Sequence, residues 1–343
     1  MRVVQQLNNA LHDLFEHDDR AVLIGEDLHD PYGGAFKVSK GLSTEFPERV
    51  YSTPISEAGF VGIATGMAMR GMRPIVEIMF GDFIALAMDQ IVNHASKFRW
   101  MYDEKVYVPV VFRLPMGGRR GYGPTHSQSL EKLLLGIPGI KIVAPSLYHD
   151  WGKSLRKVVT STKDPVFFIE NKLAYPEEVR KVESGRCRDF HVEYGSGDYP
   201  SVTLSLADDV PDVTIICYGG MLEICEQAAT DLLIEEEILC EVVVVESLLP
   251  LDTDAIMSSV ARSGCAVVTE EGTLNNGWGA EVASQIQSQL FDQLEAPVAR
   301  VAARNMPIGD SKTLENWILP NKRDVKRKIR KVIESKNKKK LKL

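Results

Sequence analysis

No run of apolar residues in the 343-residue sequence approaches the roughly 20 needed to cross a bilayer as a helix, so no membrane span is expected. The opening residues Met1–Asn9 lack the apolar core of a secretory signal and the Arg- and Ser-rich, acid-poor character of a transit peptide. A cytoplasmic protein is therefore expected. Cysteine is scarce: Cys187, Cys217, Cys225, Cys240 and Cys265 form no Cys-x-x-Cys pair, which excludes a zinc knuckle and a dithiol redox motif. The odd count and wide spacing fit free thiols in a reducing compartment. Cys217, Cys240 and Cys265 lie in or beside strand-like runs, where they read as buried filler. No His-x-x-x-His pair or acidic cluster has ligand spacing, so no metal site is expected on this chain. No Gly-Lys-Ser/Thr follows the glycine-rich segments, and neither Ser56 nor Ser127 sits in a nucleophile elbow. No period of 20–50 residues recurs, which excludes a solenoid.

The net charge of −7 is uneven. Residues 321–343 hold twelve Lys or Arg against two acids, leaving the remainder at −17 (−7 minus +10). Such a segment can bind nucleic acid or an acidic partner. No aromatics interleave the lysines as single-strand platforms require. The reading adopted is a C-terminal helix over Lys322–Ser335 with a lysine-rich end, and no nucleic-acid partner.

What is present is an alternation of short apolar runs and helical patterns, with 44% apolar residues to fill two cores. Helix-like Val3–Phe15 precedes the strand Ala21–Gly25, and a strand edge at Val50–Thr53 precedes the small-residue helix Glu57–Arg70. The strand Arg73–Ile78 leads to a long helix, Gly81–Trp100, then to the strand Val108–Arg113 and a glycine-rich loop, Met116–Gly123. Helical Leu130–Leu135, the strand Lys141–Ala144, the helix His149–Thr160 and the strand Val166–Glu170 complete the set. This alternation predicts an α/β fold with mostly parallel sheets, doubly wound in two domains. The expected division is 1–175, a linker with a short hairpin over 176–210, a second α/β domain over 211–335, and a basic tail over 336–343.

Three segments carry candidate chemistry. In Thr53-Pro54-Ile55-Ser56-Glu57-Ala58-Gly59-Phe60, Pro54 holds Thr53 extended and Ser56 is placed to N-cap a helix, with Glu57 in the first turn. A carboxylate there favours the helix dipole, and that alone accounts for Glu57. Yet Gly59, Gly62, Gly66 and Gly71 give up helix propensity, which points to close packing of another helix or subunit. Gly117 to Gln128 forms a loop between a strand and a helix, where ligands bind in open α/β sheets, and it contains His126. A loop histidine either shuttles protons or ties turns together. In Ile78-Met79-Phe80-Gly81-Asp82-Phe83, the two aromatics are suited to stack on a planar ligand or to fill the core.

Taken with Gly62-Ile63-Ala64-x-Gly66, Gly25-Glu26-Asp27, Arg73-Pro74-Ile75-Val76-Glu77, His126-Ser127, Tyr218-Gly219, Pro250-Leu251-Asp252 and Glu270-Glu271-Gly272, the Glu57 segment resembles a known family. It is the beta subunit of the thiamine-diphosphate-dependent decarboxylase of pyruvate, branched-chain 2-oxo acid and acetoin dehydrogenases, and the resemblance runs over nearly the whole chain. It implies an N-terminal pyrimidine-binding domain and a C-terminal transketolase-like domain. It implies oxidative decarboxylation of a 2-oxo acid with acyl transfer to a lipoyl group; the alternative is a two-chain transketolase-like or carboligating synthase. Glu57 is the implied proton partner of the cofactor's aminopyrimidine, which requires a carboxyl that burial can keep neutral. Met79 and Phe83 are implied at the pyrimidine, and His126 in acyl transfer. A structural potassium ion near Val159–Asp164 is a further carry-over.

Thiamine enzymes hold the diphosphate through magnesium at a Gly-Asp-Gly motif, and Gly81-Asp82-Phe83, Gly197-Asp198-Tyr199 and Gly309-Asp310-Ser311 all fail to match it. The resemblance therefore implies an alpha subunit that carries Mg2+, two alpha and two beta chains, and a lipoyl acyltransferase core. Arg119 and Arg120 depart from the family pattern, favouring either an acidic substrate or a contact to the partner chain.

Overall fold

The computed structural model describes residues 1–340. The chain divides into two compact units. The first comprises Met1–Met116 and Leu133–Val179, and the second Gly117–Lys132 and the residues from Arg180 onward.

In the first unit, α1 (Val3–His17) buries Val3, Leu7, Ala10, Leu11, Leu14 and Phe15, a stripe at helical spacing. It packs on α5 (Trp151–Ser161), whose N-cap Asp150 accepts from the Lys153 amide at 2.9 Å. Strands β1 (Ala21–Gly25), β2 (Val50–Ser52), β3 (Arg73–Glu77), β4 (Val111–Met116), β5 (Lys141–Val143) and β6 (Val166–Asn171) lie in the order β5-β6-β4-β3-β1-β2, every pair parallel. Ala21–Gly25 is wholly buried, as expected of a parallel strand covered on both faces. The short helix α2 (Leu42–Glu45) precedes β2, and α3 (Glu57–Met69) joins β2 to β3. From β1 the chain steps to β2 on one side and then to β3 on the other. That change of direction is a topological switch point, where a crevice opens beyond the strand C-termini.

The segment expected as one helix, Gly81–Trp100, is three pieces. These are a 3-10 helix over Gly81–Ala87, a π-helix over Gln90–Ala95, and α4 (Phe98–Met101). A Cβ on Gly81 would collide with the Met116 side chain, so the segment starts close against β4. Tight and wide turns of this kind take up such local misfit.

The second unit has a seven-stranded sheet in the order β14-β13-β10-β11-β9-β8-β7. Its strands β10 (Val213–Tyr218), β11 (Cys240–Val245), β13 (Ala266–Thr273) and β14 (Ala299–Ala303) are parallel neighbours. Strands β7 (Arg186–Cys187), β8 (Phe190–Tyr194) and β9 (Val202–Ser205) add on antiparallel, and the short β12 (Ser247–Leu249) follows β11. Part of the stretch read as a linker thus builds three strands of this sheet. Their polar alternation, as in Phe190–Tyr194, belongs to an antiparallel margin with one open face. Helices α6 (Leu222–Glu236), α7 (Asp254–Ser263) and α8 (Trp278–Leu290) pack on the sheet, and the short α9 (Lys312–Ile318) follows β14.

The C-terminal α10 (Lys322–Lys340) extends past the expected Ser335; of the basic tail at 336–343, residues 341–343 lie outside the described residues. Lys322 pairs with Asp231 at 2.8 Å, Lys326 with Glu235 at 2.7 Å, and Arg330 with Glu236 at 2.6 Å, all three acids on α6. Much of the basic charge is thus matched within the unit. All five cysteines are buried thiols. Among the described residues no helix is long and apolar enough to cross a membrane.

Candidate functional site

Glu57 is the first residue of α3 and only 5% exposed. Ser56 occupies the N-cap position, but its hydroxyl makes no cap hydrogen bond, contrary to the sequence expectation. It sits instead over Gly59, 2.7 Å from where a Cβ would be, so Gly59 is small for a local reason. Glu26, just beyond β1, is also buried, and its Oε1 has no hydrogen-bond partner. Burial raises the Glu26 pKa, and the charges of Glu57 and Asp27 raise it further. Two carboxyl groups therefore interact at the switch point between β1 and β3.

Met79 and Phe83 lie just past the end of β3, both half-buried, and the 3-10 helix carrying Phe83 packs on α3. Phe83 meets Phe80 edge-on at 5.9 Å between centroids, and Phe80 in turn lies under the Lys172 ammonium at 5.1 Å. Glu57, Met79 and Phe83 thus gather at one end of one sheet, the end where open α/β sheets bind ligands.

Beneath them lies a buried charge network. Arg113 on β4 grips both carboxylate oxygens of Glu170 at 2.7 Å and donates to Glu77 at 2.5 Å. The Tyr175 hydroxyl donates to Glu170 at 2.6 Å. Burial pushes the Glu77 carboxyl up despite Arg113. Burial also opposes the charge on Arg113, but Glu170 and Glu77 outweigh it and hold its pKa above the usual range. In the region proposed for potassium, Asp164 pairs with Arg99 at 2.7 Å and the Val159 carbonyl accepts from Arg73 at 2.6 Å.

His126 belongs to the second unit. Its loop, 117–132, is pinned to that unit by buried acids. Glu271 accepts from the Gly118 amide at 2.7 Å, and Glu315 accepts from the Arg119 and Gly121 amides at 2.5 and 3.3 Å. Tyr218, the last residue of β10, donates to Glu131 at 2.6 Å. Burial, opposed by the Tyr218 hydrogen bond and aided by Glu270 and Glu271, pushes Glu131 up to about 7. His126 itself is half-buried, with Nδ1 at 2.8 Å from the Thr125 hydroxyl. Arg119 donates to the Pro320 carbonyl at 2.6 Å and lies 3.9 Å from Glu271, so it fastens the loop within its own unit.

The sequence of the whole chain places it among known proteins. Residues 1–178 match the transketolase pyrimidine binding domain, and residues 205–325 match the transketolase C-terminal domain. The chain is 37% identical over 328 residues to the mitochondrial pyruvate dehydrogenase E1 component subunit beta-2 of Oryza sativa subsp. japonica, covering 95% of this chain and 85% of that one. It is 35% identical to the corresponding beta subunit of Rickettsia bellii, covering 96% of this chain and 98% of that one. The chain belongs to the family of pyruvate dehydrogenase E1 component beta subunits. Membership sets its class: a thiamine-diphosphate-dependent 2-oxo acid dehydrogenase component built from unlike subunits. Among solved structures, a split-gene transketolase described as an inactive beta4 tetramer superposes with a TM-score of 0.71 at 23% identity, covering 98% of this chain and 99% of that one. The transketolase of Leishmania mexicana gives 0.65 at 16% identity, covering 96% of this chain and 45% of that one. These two likenesses establish the two-domain transketolase fold.

Sequence reasoning missed the Arg113 network and the acids that hold the His126 loop. The first left a signal. Arg113 and Glu170 are single charges in largely apolar buried strands, and Glu77 closes the buried run 74–76, where a charge persists only with a partner. The second left none in the local pattern, because Glu315 lies 196 positions from Arg119.

Proposed function

We propose that this chain is the beta subunit of a cytoplasmic pyruvate dehydrogenase decarboxylase component, acting as two alpha and two beta chains around a lipoyl acyltransferase core. The observation that carries the reading is the buried Glu57 at the start of α3, interacting with a second buried carboxyl, Glu26, at the β1/β3 switch point. The donor set fits the aminopyrimidine end of thiamine diphosphate: a buried carboxyl to exchange a proton with a ring nitrogen, and half-buried Phe83 and Met79 beside it to face a planar ring. When bound, thiamine diphosphate supplies the carbanion and the electron sink for decarboxylation. Glu57 would hold and return the proton at the ring nitrogen, and its charge adds to the burial that raises the pKa of the neighbouring Glu26. His126 would serve the acyl-transfer half of the reaction as a proton carrier.

The diphosphate and its Mg2+ would rest on the alpha subunit, because the Gly-Asp-Gly motif is missing from this sequence. One face of α3 suits a partner chain. Ala58, Gly59, Ile63 and Gly66 are exposed, and a Cβ on Gly66 would meet nothing within 4 Å in this chain. The names of the relatives make pyruvate the proposed substrate.

The test is co-expression with the alpha partner and assay of pyruvate decarboxylation with thiamine diphosphate. Glu57→Ala should lower kcat at least about 100-fold, the scale of a lost general acid–base group, with the assembly intact by gel filtration. Full turnover by this chain alone, or turnover of ketose phosphates in place of pyruvate, would overturn the reading.

A further inference from the structure

A cleft of about 220 Å³ opens in the second unit between the end of β14, α9 and the start of α10. Its wall carries Arg300, Arg304, Arg327 and Lys328 against a single acid, Asp324. Asp324 is already engaged, accepting from Arg327 at 2.5 Å and from the Asn321 amide at 3.2 Å. Arg300 is engaged with Glu270 at 2.8 Å. Arg304 and Lys328 face no carboxylate within ion-pair distance among the described residues. Arg304 is also held in place. Its guanidinium stacks on Trp317 at 4.2 Å from the ring centroid, and its Nε donates to the Trp317 carbonyl at 2.9 Å. A stacked, tethered guanidinium loses little rotamer freedom on binding and has its terminal nitrogens left to grip an oxyanion in two-point fashion. Ala303 and Ile318 give the cleft a buried apolar side, and the Trp317 indole is 52% exposed beside it.

Concentrated positive charge, a preorganised arginine and an aromatic edge together describe the chemistry of a phosphate ester. We propose that this cleft binds a phosphorylated small molecule through Arg304 and Lys328, with Trp317 against its organic part. It is separate from the Glu57 site, and the proposal does not rest on the activity of that site.

The test is isothermal titration of the full-length chain at low salt with inorganic phosphate, pyrophosphate, ribose 5-phosphate and a nucleoside monophosphate, with tryptophan fluorescence followed in parallel. Saturable one-to-one binding is expected. The Arg304→Gln, Lys328→Gln double variant should bind roughly tenfold or more weakly, as expected for lost charge-assisted hydrogen bonds. Trp317→Phe should remove the fluorescence change while binding persists. The two esters should bind more tightly than inorganic phosphate, and equal binding of inorganic phosphate and esters would overturn the placing of an organic part against Trp317. The single variant Lys328→Gln, an exchange on the surface of α10, guards against misfolding of the pair and should weaken binding at least about threefold. No saturation by any of the four up to millimolar concentration, or unchanged affinity in the variants, would overturn the proposal.

Discussion

Arg113 is 1% exposed and holds two carboxylates that would otherwise be charged and dry. Arg113→Met should therefore destabilise the protein by about 3–5 kcal/mol at pH 7, the cost of stranding buried charge. Glu77 has a raised pKa in the folded state, so its neutral form favours folding at low pH and that contribution is lost as pH rises through the folded value. The penalty of Arg113→Met should accordingly shrink as pH falls, and urea unfolding at pH 5 and pH 7.5 checks it. A penalty that grows toward pH 5 would contradict the assignment. Glu131 gives the sharper case. Its folded pKa, about 7, lies above the ordinary 4.5. Its neutral form supports folding below pH 4.5, and the support drains away between there and pH 7. Glu131→Gln, which can still accept from Tyr218, should stabilise the protein by up to about 3 kcal/mol at pH 8 and by little near pH 4.5. Thermal melts of the two proteins across that range measure the difference. These residues were legible only in part. The motif singles out Glu57 and Phe83 as candidates, whereas Glu26 enters only as part of a matching string. Its interaction with Glu57 depends on a fold that brings the end of β1 and the start of α3 together.

At the scale of elements, the loop 117–132 is held in part by side chains accepting from its backbone amides. Glu315, 2% exposed on α9, takes two of them. Glu315→Ala would leave those amides without an acceptor, at a cost of about 1–3 kcal/mol, largely by letting the loop open. Hydrogen exchange should quicken in the peptide spanning residues 117–132 and stay unchanged in β1 and β3. Uniform acceleration across the chain would mean that Glu315 supports the whole unit. The helices and strands themselves were mostly readable, because buried parallel strands give unbroken apolar runs and helices give stripes. The failures were instructive. The run Gly81–Trp100 has helical composition but folds as turns of three kinds, starting where Gly81 closely approaches Met116. The antiparallel strands within 186–205 have half-polar patterns that resemble a linker when read without their neighbours.

For the whole molecule, the order of strands and helices along the chain predicts two α/β sets, and two are found. What local pattern does not carry is which set a loop joins, since the hydrogen bond from Gly118 to Glu271 spans 153 positions. The loop bearing His126 leaves the chain of the first unit after Met116, docks on the second, and returns at Leu133. This interleaving constrains how such proteins can be recombined. A hybrid joined near residue 179, with its front from one relative and its back from another, would seat one parent's histidine loop on the other parent's acids. Such exchanges should succeed only when Tyr218, Glu271 and Glu315 travel with a loop shaped to meet them. Breakpoints that respect the linear boundary alone would separate a tether from its anchor.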